Sequence, residues 1–85
     1  MTRLWPEGEA VRIWGVAENP EGFTWRGIAH PIQEVCHRWR VHTRWWEPDQ
    51  EVWREYLKVT TDTGLLCLLY RDLRLGGWFL ARVYD

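Results

Sequence analysis

Serine is absent from these 85 residues, and asparagine and lysine occur once each, at Asn19 and Lys58. The first absence removes every serine-nucleophile mechanism before geometry is considered. Cysteine is scarce too: Cys36 and Cys67 are too few for a disulfide framework and lack metal-type spacing. Both are expected reduced and packed or half-buried. No apolar run approaches the ~20 residues that a membrane-spanning helix needs. The opening MTRLWPEGEAV lacks the basic-then-apolar order of a secretory signal, so a cytoplasmic address without membrane contact is expected. No GxxxxGK[ST] phosphate loop occurs, and Gly76–Gly77 reads as a turn before Trp78.

Tryptophan fills the composition instead. Eight Trp, three Tyr and two Phe supply a dense core for a chain whose size permits one small domain, residues 1–85. Ten of the eleven basic residues are Arg, a bias that fits a GC-rich genome, and the scarcity of amides suits a thermophile. The net charge is only −1, yet residues 23–46 carry four arginines against the single acid Glu34. The basic charge is therefore segregated, although the whole-molecule field is weak.

Runs rich in Val, Ile, Thr, Trp, Tyr and Phe alternate with turn signals, which predicts strands near 9–17, 22–29, 32–46, 52–61, 65–72 and 78–84. The breaks fall at ENPEG (18–22), AHP (29–31), EPDQE (47–51), TDTG (61–64) and RLGG (74–77). Residues 47–58 also admit a helix, because Pro48 and the neighbouring acids resemble a helix first turn. LLCLLY is apolar on both parities, as expected of a strand covered on two sides. The expected fold is all-β: a small antiparallel barrel of five or six strands, SH3-like, or else a compact sandwich.

Unbroken alternation from Val35 would put Val35, His37, Trp39, Val41, Thr43 and Trp45 toward the core. Cys36, Arg38, Arg40, His42, Arg44 and Trp46 would then face water. Trp25, Trp39, Trp45, Trp53 and Trp78 are on this reading structural, and Trp46 stands outside among arginines. With Arg26, Arg54, Tyr56 and Lys58 on neighbouring strands, the outward set would form one basic-aromatic face. Its contact residues are expected to be Arg38, Arg40, Arg44 and Trp46, then Arg54, Tyr56 and Lys58.

No catalytic, cofactor or metal set emerges. Cys67 lies in an apolar strand where a thiol is inert, and adjacent Cys36 and His37 point apart. His30, His37 and His42 meet only through a fold-back that nothing predicts. Glu47, Asp49 and Glu51 read as a solvated acidic loop, Asp62 and Gly64 as turn chemistry, and Tyr-Arg-Asp at 70–72 as a strand-end salt-bridge element. What remains is a binding or assembly module with no small-molecule substrate. Arg and Trp are enriched at protein hot spots, which favours a protein partner or self-association. The same residues also serve single-stranded nucleic acid, by neutralising phosphate and stacking on bases. Arginines that merely solvate a sheet and cover Trp46 with their stems are the bland alternative.

Three stretches carry a family resemblance: Trp-Arg-Gly at 25–27, Trp45–Trp46, and the ending in which LYRD leads through Gly to WFLARVYD. From about residue 9 to the C-terminus the chain resembles a family of small bacterial proteins of unknown function. Similar sequences look like the C-terminal module of ImuB-type proteins, catalytically defective relatives of translesion polymerases. That resemblance implies a non-enzymatic module connected with DNA damage tolerance, and it carries no catalytic or binding residues with it.

Overall fold

The computed structural model describes residues 3–47 and 49–84, with side chains from Gly8 onward. Six antiparallel strands run in chain order: β1 Arg3–Val16, β2 Asn19–Trp25, β3 Ile28–Thr43, β4 Val52–Thr61, β5 Leu66–Asp72 and β6 Trp78–Tyr84. Each pairs with the next, and β6 returns to β1, closing the sheet into a barrel rather than a sandwich. Closure removes most of the exposed edge that a chain this aromatic would otherwise present. Residues 52–58 are strand, not helix: the alternation of Leu57 and Val59 with Tyr56 and Lys58 suits a half-buried sheet. No helix of the described residues is long and apolar enough to cross a membrane.

The barrel interior is filled by Phe23, Leu57, Val59, Cys67, Leu69, Leu80 and Val83, all fully buried, with Trp25 and Trp78 beside them. Each such aliphatic or aromatic side chain contributes about 1.5–3 kcal/mol on leaving water. Trp25 and Trp78 are therefore structural, as their positions in apolar strands imply.

Two breaks lie elsewhere than the sequence suggests. The β2–β3 turn is Arg26–Gly27, both at positive φ (52° and 79°), and AHP continues as strand β3. Two positive φ values suit the right-handed twist of a short hairpin. Gly27 adopts this conformation freely, while Arg26 is held there by Glu9, whose carboxylate accepts from its Nε at 3.1 Å. Pro31 is tolerated because its pairing with Gly22 is the last that β3 makes with β2, so its missing N–H costs no further rung. In the other case the β1–β2 turn is Ala17–Glu18, and Asn19 and Pro20 already pair with β1.

Beyond Pro31, β3 pairs only with β4 among the described residues. Two bulges interrupt this ladder, because Gln33 and Cys36 have no partner on β4. Each extra residue flips the side-chain phase. This overturns the uniform alternation expected from Val35. Val35 pairs with Val59 and faces the core, but after Cys36 the inward parity passes to Arg38 and Arg40, opposite Leu57 and Glu55. His37, Trp39 and Val41 take the outer face, opposite Lys58, Tyr56 and Arg54. Strand β3 ends at Thr43, so no alternation governs residues 44–46.

Candidate functional site

The segment of β3 and β4 from Arg38 to Arg54 forms an arm whose two faces and tip differ in chemistry. On the inner side, at the mouth of the barrel, stands Glu55, only 3% exposed. Its Oε2 lies 3.1 Å from Arg40 Nε, while its Oε1 lies 3.5 Å from Arg71 Nη2 and 3.9 Å from Arg38 Nη1. One carboxylate thus serves three guanidiniums, leaving a local excess of positive charge. The same Arg38 Nη1 donates to the Glu18 carbonyl at 2.6 Å, tying the β1–β2 turn to the arm. Further out, His42 stacks on Trp53 and shares a 2.6 Å contact with Glu51, which Arg74 also approaches.

The outer face carries a ladder of rings one residue wide and four strands long. Trp39 stacks on Tyr56 at 5.3 Å, Tyr56 meets Tyr70 at 5.5 Å, and Tyr70 stacks on Phe79 at 5.0 Å. These residues are direct cross-strand partners in β3 to β6, the arrangement in which aromatic pairs contribute most. The Arg54 guanidinium sits 4.2 Å above Tyr70. Tyr70 is buried although it points outward, because the chain at Gly8 crosses it. Lower on this face Lys58 and Arg82 both lie over Tyr84.

The tip is the loop 44–51. Arg44 opens it at φ 53°, with its guanidinium donating to the Gln50 side-chain carbonyl, and Glu47 N–H closes a turn onto the Arg44 carbonyl at 2.9 Å. That turn throws both following indoles outward. Trp45 is 67% exposed and Trp46 62%, packed edge to face at 5.6 Å. Trp46 Nε1 donates to Glu47 at 3.0 Å.

The expected contact residues are therefore divided. Trp46 is exposed as expected, but Trp45 is not core; it joins Trp46 at the tip, because the turn at Arg44 breaks the strand before it. Trp39 is half-buried on the outer face, and Trp53 is partly exposed against His42. Arg38 and Arg40 occupy the inner side, Arg54, Tyr56 and Lys58 the outer side, and Arg44 the tip. Arg26 lies apart from them, bound to Glu9 in the β2–β3 turn. The single basic face is thus not formed.

Glu55 was not singled out by sequence, whereas Arg71 was expected as part of a strand-end salt-bridge element and does pair with Glu55. A signal existed for Glu55: it is the lone carboxylate on the apolar parity of Trp53, Leu57 and Val59. Elsewhere, Cys67 is buried as expected and burial pushes its thiol up to about 11, but Cys36, expected packed or half-buried, is exposed because the bulge turns it away from the β4 ladder. Among the described residues no three His, Cys, Asp or Glu side chains converge as metal ligands would. A cleft of about 420 Å³ lies where β2 and β3 diverge, lined by Pro20, Glu21, Ile32 and Glu34 among others.

No curated protein and no solved structure matches the chain. Residues 8–85 match the family described as "Domain of unknown function (DUF6504)", and the chain belongs to that family.

Proposed function

We propose that the protein is a non-catalytic binding module and that the tip of its arm contacts a protein partner. The observation that carries this reading is the Trp45–Trp46 pair, two adjacent indoles each more than half exposed on a loop held by Arg44. Large aromatic side chains left in water are costly, and clustered tryptophan with arginine is the usual composition of an interface centre. A rigid ring pair also loses little conformational entropy on docking.

Single-stranded nucleic acid is the competing occupant. Carboxylates beside the rings weigh against it: Glu47 accepts from Trp46 itself, and Asp49 lies exposed in the same loop. Phosphates would approach against that charge. Titration with oligodeoxythymidylate at low and moderate salt separates the two readings, since phosphate contact requires affinity that falls with salt.

The finer setting follows from the sequence resemblance. A damage-tolerance assembly is the first place to look for the partner, through the likeness to ImuB-type C-terminal modules. Two unpaired thiols fit a reducing, cytoplasmic compartment. The test is quantitative affinity capture with wild type, a Trp45→Ser/Trp46→Ser double variant, and Ile28→Ser, which removes an exposed apolar side chain from the β2–β3 hairpin. Loss of partners only in the double variant is expected. Partners that survive it would remove the tip from consideration.

A further inference from the structure

The β3 strand leaves one side of its backbone without a partner strand, and the side chains along that side have a definite character. Of β3, only Ile28–Pro31 pair with β2, and everything beyond is joined to β4 alone among the described residues. The lower part of this edge is ill-suited to pairing. It carries the bulges at Gln33 and Cys36, and Glu34 and Glu21 border the cleft there; Arg38, whose guanidinium reaches down to the Glu18 carbonyl, marks its upper limit. Bulges and like measures blunt a natural edge. From Arg38 to Thr43 the ladder to β4 is regular, so on the opposite side alternate residues present N–H and C=O groups that no strand among the described residues pairs. Six residues is an ordinary strand length.

Alternation gives this template two faces. Arg38, Arg40 and His42 lie on the inner side, and Trp39, Val41 and Thr43 on the outer. Glu55 neutralises one of three arginines, and the Arg40 side chain remains 64% exposed. A strand added here meets positive charge on one face and apolar or ring surface on the other.

We propose that the β3 edge between Arg38 and Thr43 binds an extended acidic segment of a partner protein as an added antiparallel or parallel strand, with carboxylates beside Arg38 and Arg40 and apolar residues beside Trp39 and Val41. The backbone supplies affinity and the alternating side chains supply selection. A second copy of this chain is disfavoured, because antiparallel pairing of the edge with itself sets Arg38, Arg40 and His42 against one another. The inference rests on the arm as the contact element and names what the arm grips beside its Trp tip.

The test uses the whole protein and a blocked peptide of alternating Val and Glu spanning the edge. Two further versions carry backbone N-methyl groups, one at every Val and one at every Glu. Binding is expected for the parent peptide, with at least about tenfold loss in one N-methylated version, because an added strand directs only alternate N–H groups at its neighbour. Alternate amides between Arg38 and Thr43 should gain hydrogen-exchange protection at saturation. The Arg40→Gln variant, verified as folded by circular dichroism, should bind about three- to tenfold more weakly. Equal binding of all three peptides would mean electrostatic adsorption and overturn the proposal, as would no binding of the parent. Preference for oligodeoxythymidylate with the same amides unprotected would overturn it in favour of nucleic acid. None of these results depends on Trp45 or Trp46, so failure here leaves the capture experiment on the tip to stand or fall separately.

Discussion

Arg40 and Glu55 face each other directly across the β3–β4 pair, Nε to Oε2 at 3.1 Å, although one is largely exposed and the other is almost fully buried. The buried carboxylate fixes the register of the arm by holding Arg40 from one neighbouring strand and Arg71 from the other. Replacing Glu55 by Gln keeps the shape but leaves three guanidiniums without their anion. Because these arginines are partly solvated, the expected loss is about 1–3 kcal/mol rather than the full cost of a buried unpaired charge. Urea denaturation reads this as a lower midpoint with an unchanged slope.

Gly8 offers a second test, on the outer face. A Cβ there would stand 2.7 Å from Phe79 Cβ and 2.8 Å from the Tyr70 ring, and φ is +76°. Both the clash and the backbone conformation oppose a side chain. Gly8→Ala is expected to destabilise by about 1–3 kcal/mol and to raise solvent exposure of Tyr70, measured as tyrosine fluorescence quenching. An unchanged midpoint would mean that the chain at Gly8 does not lie on the ring ladder.

These two sites also show what the sequence revealed. The all-β antiparallel fold and the approximate place of each strand followed from apolar runs and turn residues, but barrel against sandwich, strand against helix at 52–58, and the start of β1 at Arg3 did not. Nor did the β3 phase, because a bulge is a count mismatch between two strands and cannot be read from one of them. Cys36 carries no mark of being the extra residue, yet it alone reverses the assignments of Arg38, Trp39 and Arg40. Trp45 was misplaced for a related reason: strand alternation was extended past Thr43 into a turn that Arg44, a non-glycine at positive φ, does not advertise.

His30 sets the response to mild acid. It is buried against Phe23, shares a 2.7 Å contact with Thr63 Oγ1 through Nδ1, and burial lowers its pKa from the ordinary value. The unfolded chain therefore takes up a proton more readily than the folded one. This contribution is fully present above about pH 6.5 and diminishes as pH falls toward the lower folded value. Glu9 acts in a separate, more acidic window. Hydrogen bonds from Arg26 and then Trp25 hold its carboxyl below the usual value, so its contribution is lost only as pH drops below about 4.5. Denaturant midpoints of wild type should decline as pH falls below about 6.5, and His30→Gln should flatten that slope. A slope that His30→Gln leaves intact would contradict the assignment.

The two thiols differ as sharply as their surroundings. Cys36 is exposed and Cys67 is fully buried in the barrel with its thiol pushed up to about 11. A thiol reagent at neutral pH should label Cys36 promptly in the native protein and reach Cys67 only on unfolding. Prompt labelling of both would mean that the barrel opens on the timescale of the reaction.

The central claim is that the tip of the arm is where this protein meets its partner, and photo-crosslinking inside the cell tests it most directly. A photoreactive phenylalanine analogue at position 46, compared with the same group at the exposed position 28 on the β2–β3 hairpin, should capture a discrete protein only from the tip. Its yield should fall when Trp45 is replaced by Ser. Equal capture from positions 28 and 46, or a cross-link at 46 that goes to nucleic acid instead of protein, would contradict the account.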